Sequence, residues 1–188
     1  MDFQSYCNES ARLIERTAAH VGEQRIAAAI DIVAGAIAQR RMVMICGNGG
    51  SASDAMHITG EFVGRFLKER PGFKAICLSA DPAVLTAWSN DYGYETVFAR
   101  QVEAYAEPGG VLIGLSTSGN SPNVVAAFAA ARKLGLKTLA FTGEGGGKLA
   151  PLADVLLDVP SRATPLIQQA HICLYHYLCE RVEARCAA

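Results

Sequence analysis

The sequence contains no uninterrupted apolar stretch of about 18 residues, the length a membrane-crossing helix needs, so no membrane partner is expected. Its first residues, Met1-Asp2-Phe3-Gln4-Ser5, lack the basic region and apolar region of a secretory signal, which points to a cytoplasmic protein. An excess of one charge is also missing. The formal net charge is -1 over 188 residues, leaving no basic field for a nucleic-acid partner. The 6 cysteines, Cys7, Cys46, Cys77, Cys173, Cys179 and Cys186, form no Cys-x-x-Cys pair. They read as reduced thiols, most of them packing residues. No internal repeat or low-complexity segment is present. What remains is a chain that is 51% hydrophobic, long enough for one domain over residues 1–188 with a substantial core.

The hydrophobic pattern divides that domain. From Phe3 to Arg41 it is helical, with a break near His20-Val21-Gly22, after which Ile26, Ile30, Val33 and Ile37 recur at spacings of three and four. Short runs rich in β-branched residues follow at Met42–Cys46, Lys74–Leu78, Val111–Leu115, Lys137–Thr142 and Asp154–Val159. Five such strands separated by helix-length segments predict parallel βαβ units over residues 42–188. The fold class is therefore α/β: a three-layer, doubly wound arrangement on a five-stranded parallel sheet, with N-terminal helices (residues 1–41) added for packing and oligomerisation. A last helix is predicted from Thr164 to Ala184, with Pro165 tolerated in its first turn.

Ligands of open parallel sheets bind at the carboxyl ends of strands, and two polar loops fall there. Ser116-Thr117-Ser118-Gly119-Asn120-Ser121 follows the third strand and leads through Pro122 into a helix. Such a turn offers hydroxyls, free backbone N–H groups and the positive end of a helix dipole, all suited to phosphate. Gly47-Asn48-Gly49-Gly50-Ser51 follows the first strand, its glycines permitting close approach of a ligand and Ser51 or Ser53 expected to cap the next helix. Neither loop carries a Gly-Lys-Ser/Thr or Gly-x-Gly-x-x-Gly pattern, which weakens nucleotide readings. Gly143-Glu144-Gly145-Gly146-Gly147 reads as a flexible loop.

Chemistry-bearing residues lie on two helices. His57 and Glu61, four apart, share one helix face. On the last helix Gln168, Ile172 and His176 form a stripe about 80° wide, while His171 lies about 140° from His176. A neutral structural or surface role suits His171. His57, Glu61 and His176 form a plausible catalytic divalent-metal set, with Gln168 a weaker oxygen donor. Spacing alone does not bring the two helices together.

In combination these motifs, with Asp54 and the pair Asn90-Asp91, resemble the phosphoheptose isomerases, sugar isomerase (SIS) domain proteins that act on sedoheptulose 7-phosphate. The resemblance covers essentially the whole chain. It implies an aldose–ketose isomerase that forms D-glycero-D-manno-heptose 7-phosphate through an enediol, the first step towards ADP- or GDP-heptose. It also implies roles for the matching positions. Ser51, Ser116, Thr117, Ser118 and Ser121 would hold phosphate and sugar, and Asn48, Gly49, Gly50, Asn90, Asp91 and Gln168 would line the substrate. Glu61 would be the base and His176 the acid. His57, Glu61, Gln168 and His176 would bind one zinc ion per subunit, in a homotetramer with active sites at subunit boundaries, where Glu61 and His176 can come from different chains. One departure is the lack of an acidic residue in Ser161-Arg162-Ala163-Thr164-Pro165, where compared members carry one. Two rivals are a non-catalytic SIS protein that binds the bacterial replication initiator and an isomerase of another phosphosugar. The complete set His57, Glu61, Gln168 and His176 favours the heptose enzyme over the first.

Overall fold

The computed structural model describes residues 1–187. Five strands, β1 (Val43–Gly47), β2 (Ala75–Cys77), β3 (Val111–Ser116), β4 (Lys137–Thr142) and β5 (Val155–Asp158), form one sheet in the order β2-β1-β3-β4-β5. Every pairing is parallel. This is the flavodoxin-like order, and it reverses direction between β1 and β3. The register sets Gly47 beside Leu115, so the glycine loop and the serine turn leave neighbouring strands at the switch point.

The strands read as continuous apolar runs because both sheet faces are covered. Alternate side chains point to opposite faces. Val43 and Ile45 join a core with Ile58, Phe62, Tyr175 and Leu178, whereas Met44, Cys46 and Leu112 pack with Phe98, Val102, Val124 and Phe128. The first layer is made by α1 (Phe3–Ala38), α2 (Gly50–Val63) and α6 (Thr164–Cys186). The second contains α4 (Val97–Tyr105) and α5 (Pro122–Lys133), joined to β2 by α3 (Pro82–Tyr92), none of whose residues is buried. Gly114 in β3 has no side chain because a Cβ there would sit 2.3 Å from the Phe128 ring of α5.

The expected break in the N-terminal helical region is a kink within α1, where Gly22 adopts φ 64° and ψ 165°. Past the kink, Asp158 at the end of β5 accepts hydrogen bonds from Arg25 Nη1 (2.8 Å) and Gly145 N (3.3 Å) and lies 3.0 Å from His20 Nε2. Burial alone would raise the pKa of Asp158, but its bonds to His20 and Arg25 outweigh this and hold it below the usual range. The kinked helix is thereby tied to the loop that follows β4.

His171 is fully buried, which excludes the surface role allowed for it. Its Nε2 lies 3.0 Å from the Thr142 carbonyl, which a neutral ring satisfies by donating Nε2–H. Burial lowers its pKa to about 4, against a smaller upward effect of that carbonyl. A histidine depressed in the folded state binds its proton first when unfolded. Stability is therefore complete above pH about 6.5 and falls as pH drops towards 4, by about 3 kcal/mol in all. His171→Gln should flatten urea-derived stability across that window, and an unchanged pH slope would refute the assignment.

Candidate active site

The serine turn is built by strand end, glycine and helix start. Ser116 ends β3 with its side chain buried. Its hydroxyl oxygen lies 2.9 Å from that of Ser121, the N-cap of α5, and 3.5 Å from that of Ser118. Asn120 N donates to Ser118 Oγ at 3.1 Å. Ser121 makes no side-chain cap bond and Pro122 has no N–H, while Val124 N donates to Asn123 Oδ1 (3.0 Å) and Val125 N to Ser121 O (3.0 Å), so Asn123 N is the donor left free for an anion in the first turn.

The run from Gly143 to Gly147 is packed against this turn rather than hanging free. Gly143 N donates to Thr117 O (2.9 Å), Lys148 N to Asn120 Oδ1 (3.1 Å) and Leu149 N to Gly119 O (3.1 Å). Gly119 has φ 65°, and a Cβ on it would lie 2.1 Å from Gly146 O. Only glycine meets both demands, the left-handed backbone and the close approach.

The glycine loop starts α2 without the expected serine cap. Gly49 is the N-cap, with φ 55° and no side-chain cap bond; Ser51 N donates to Asn48 O (3.0 Å) and Ala52 N and Ser53 N to Gly49 O (3.0 and 3.2 Å), which leaves Gly50 N as the free donor of the first turn. Ser51 is buried inside the first turn instead. Gly50 is held bare by Gln168 of α6, whose Nε2 would stand 2.3 Å from a Cβ there. Asn48 is locked by a reciprocal amide pair with Asn123 of α5, each Nδ2 donating to the other's Oδ1 at 2.9 Å. Tyr94, which the sequence reading passed over, donates its hydroxyl to Asn48 Oδ1 at 2.8 Å. Asn90 and Asp91, at the exposed end of α3, are bonded to each other (2.9 Å). It is Tyr94, just beyond them, that ties this segment to the loop.

At the far end of α2, His57 Nε2 lies 3.0 Å from Glu61 Oε1 and 3.5 Å from His176 Nε2. One nitrogen or oxygen from each of the three residues falls within 4.8 Å of the others, all in a single chain, so Glu61 and His176 need no second subunit to meet. The seven residues from Gly50 to His57 span about 10 Å of helix, which separates this cluster from the start of α2. Gln168 contacts α2 at Gly50, while His176, two turns further on, contacts it at His57. Burial first, then neighbouring His57, lowers the pKa of His176, with Glu61 opposing.

Behind the cluster, Tyr175 Oη lies 3.0 Å from His57 Nδ1 and donates to Asp54 Oδ1 at 3.4 Å. Burial and then Asp54 push the Tyr175 phenol far above its ordinary range, and burial raises the Asp54 carboxyl against the opposing effects of Tyr175 and His57. Tyr175 gave no chemical signal in the sequence, where it reads as an apolar packing position. The missing acid of segment 161–165 has neighbours in space: Glu144 accepts from Arg162 Nε at 2.6 Å.

The floor of the site is held by a buried ion pair. Glu183 of α6 accepts from the backbone N–H groups of Phe66 (2.8 Å), Leu67 (2.6 Å) and Lys68 (2.8 Å) and from Arg70 Nε (3.0 Å). Burial would raise the Glu183 carboxyl, but these donors outweigh it and hold it below its usual range. Arg70 in turn donates to the carbonyls of Phe62 (2.9 Å), Gly64 (3.2 Å) and Glu61 (2.7 Å), satisfying the open end of the helix that carries Glu61.

Comparison with known proteins agrees with this geometry. Residues 5–143 match the SIS domain family. The phosphoheptose isomerase of Nitratidesulfovibrio vulgaris is 49% identical over 175 residues, covering 93% of this chain and 84% of that protein. The solved phosphoheptose isomerase of Neisseria gonorrhoeae superposes with a TM-score of 0.90 at 36% identity, and that of Francisella tularensis with 0.91 at 34%, each over 96% of both chains. A parallel sheet with two polar loops at its switch point and a histidine–glutamate cluster on the adjoining helices thus goes with near-complete sequence coverage, and the chain belongs to the phosphoheptose isomerase family of SIS-domain enzymes.

Proposed function

We propose that this chain converts sedoheptulose 7-phosphate to D-glycero-D-manno-heptose 7-phosphate, with Glu61 and His176 moving the protons. The observation that carries this is the convergence of His57, Glu61 and His176 about two helical turns from the glycine loop that starts α2. An aldose–ketose exchange needs a base at carbon, a proton shuttle at the oxygens and an anchor for the remote phosphate. Glu61, with 20% of its side chain exposed, is open to a ligand and takes the proton between C1 and C2. His176 shuttles a proton between the sugar oxygens. Ser51, Ser116, Thr117, Ser118 and Ser121, with the backbone N–H groups of Gly50 and Asn123, hold the phosphate, and Asn48, Gly49, Gly50, Asn90, Asp91 and Gln168 line the sugar chain. Remote binding at the phosphate positions the reacting end.

Two imidazole nitrogens and a carboxylate oxygen within 4.8 Å fit a catalytic zinc, which takes three protein ligands and an open position. In this reading His57, Glu61 and His176 would hold one ion per subunit; the Gln168 amide, which lies against Gly50, would have to swing along α6 to join them as a further oxygen donor. The ion would supply Lewis-acid polarisation of the substrate carbonyl. The chain is read as a cytoplasmic homotetramer. An apolar cleft of about 280 Å³, lined by Ile14, Val21, Ile26, Leu174 and Tyr177 at the α1 kink, supports self-association.

The test is a comparison of kcat/KM for ketose phosphates of different chain length, with and without added zinc. Sedoheptulose 7-phosphate should be strongly preferred, and equal or better turnover of a shorter ketose phosphate would reassign the substrate. Ser118→Ala removes a hydroxyl from the phosphate turn. Losing one hydrogen bond to a charged group, about 1.5–3 kcal/mol, should weaken substrate affinity roughly 10- to 100-fold. Unchanged affinity would remove Ser118 from the phosphate site.

A further inference from the structure

We infer that Tyr175, backed by Asp54, is a positioning residue that fixes the tautomer of His57 and so prepares its Nε2 as a ligand. The inference rests on the reading of His57, Glu61 and His176 as a metal site. It starts from a competition for one imidazole proton. His57 Nε2 faces Glu61 Oε1 at 3.0 Å and His176 Nε2 at 3.5 Å. Protonated at Nε2, His57 would donate to Glu61 Oε1 and that nitrogen would be closed to a metal, so a ligand role requires the proton on Nδ1.

The structure supplies a reason for it to do so. A phenol has one proton to donate, and Tyr175 is fully buried with two partners. Asp54 Oδ1 is a pure acceptor when ionised and takes the Tyr175 proton at 3.4 Å. The phenolic oxygen then accepts, at 3.0 Å, and the only hydrogen that His57 can present there is Nδ1–H. A neutral imidazole protonated at Nδ1 leaves Nε2 with a free lone pair, directed at the cluster. Asp54 has its other oxygen, Oδ2, buried without a hydrogen-bond partner, so Tyr175 is the one side-chain donor recorded for this carboxylate. The chain Asp54–Tyr175–His57 has the form of the outer-sphere partners that orient metal-binding histidines elsewhere, with a tyrosine inserted between carboxylate and imidazole.

Two measurements test it. In metal-free protein labelled with ¹⁵N-histidine, long-range ¹H–¹⁵N spectra should show His57 protonated at Nδ1 with a pyridine-type Nε2, and Nε2–H would overturn the inference. In Tyr175→Phe, which deletes one oxygen, zinc affinity measured by chelator competition should fall about 10- to 100-fold, with the melting transition still cooperative. Asp54→Asn should shift affinity in the same direction. A tyrosine that served packing alone would leave both tautomer and affinity unchanged, and that result refutes the role. If the unmodified protein binds no zinc, the metal reading fails by itself, and the His57 spectra of the unmodified protein and Tyr175→Phe still decide the tautomer.

Discussion

Glu61→Gln should lower isomerisation of sedoheptulose 7-phosphate by about 100-fold or more while leaving substrate binding nearly intact, the scale expected when a general base is deleted. The substitution keeps the size of the side chain and removes its negative charge, and with it the ability to accept a proton and, in the metal reading, one carboxylate ligand. Glu61 is favourably placed to be that base because α2 presents it one turn after His57, on the same face, with its oxygen 3.0 Å from His57 Nε2. Its backbone is fixed independently of its carboxylate, since Arg70 Nη2 donates to the Glu61 carbonyl at 2.7 Å. The variant should therefore fold and bind, and the loss should appear in kcat rather than in affinity. Isothermal titration beside a coupled turnover assay separates the two. Normal turnover by Glu61→Gln would take the base assignment away from this residue.

Glu183→Ala should produce the largest loss of stability. Arg70 and Glu183 have side chains only 1% and 2% exposed, and removing one partner of a buried pair costs about 3–5 kcal/mol. For a chain of this size that corresponds to a fall in melting temperature of roughly 6–20 °C. The deletion also strands the backbone N–H groups of Phe66, Leu67 and Lys68 and frees the arginine that closes the end of α2. Activity should thus fall along with stability, although Glu183 touches no substrate. Because the folded carboxyl ionises below its usual range, the contribution is complete above the unfolded carboxylate pKa and is lost as pH falls through the folded one. A melting temperature unchanged by Glu183→Ala would show that the pair does not anchor the site.

Much of this was legible before any coordinates. The strands announced themselves because a parallel sheet covered on both faces needs uninterrupted apolar runs, and Val111 to Leu115 is one. The boundaries moved by only a residue or so, as when the run from Met42 proved to start pairing at Val43. His57 and Glu61 were legible as a pair because four residues is a local helical distance. Their meeting with His176 was not, since it spans 119 positions and depends on how α6 packs on α2. Tyr175 and Glu183 carried no signal for the same reason. A tyrosine in an apolar stretch and a glutamate in a charged helical tail acquire their roles only from neighbours that tertiary packing brings. The missing serine cap is of another kind. Cap preference favours Ser51 or Ser53, but a glycine stands at that place without a side-chain cap, and the first turn closes instead on the carbonyls of Asn48 and Gly49.

The central claim is that Glu61 moves a sugar proton between C1 and C2. Solvent deuterium tests it most directly. Glu61 is partly open to water, so a proton held there exchanges before it returns to carbon. Sedoheptulose 7-phosphate turned over in D2O by the unmodified protein should give heptose 7-phosphate carrying deuterium at C2, with the label appearing at least 100-fold more slowly in Glu61→Gln, about the loss of a general base. Heptose 7-phosphate formed at full rate without deuterium at C2, or labelled equally fast by Glu61→Gln, would contradict the account.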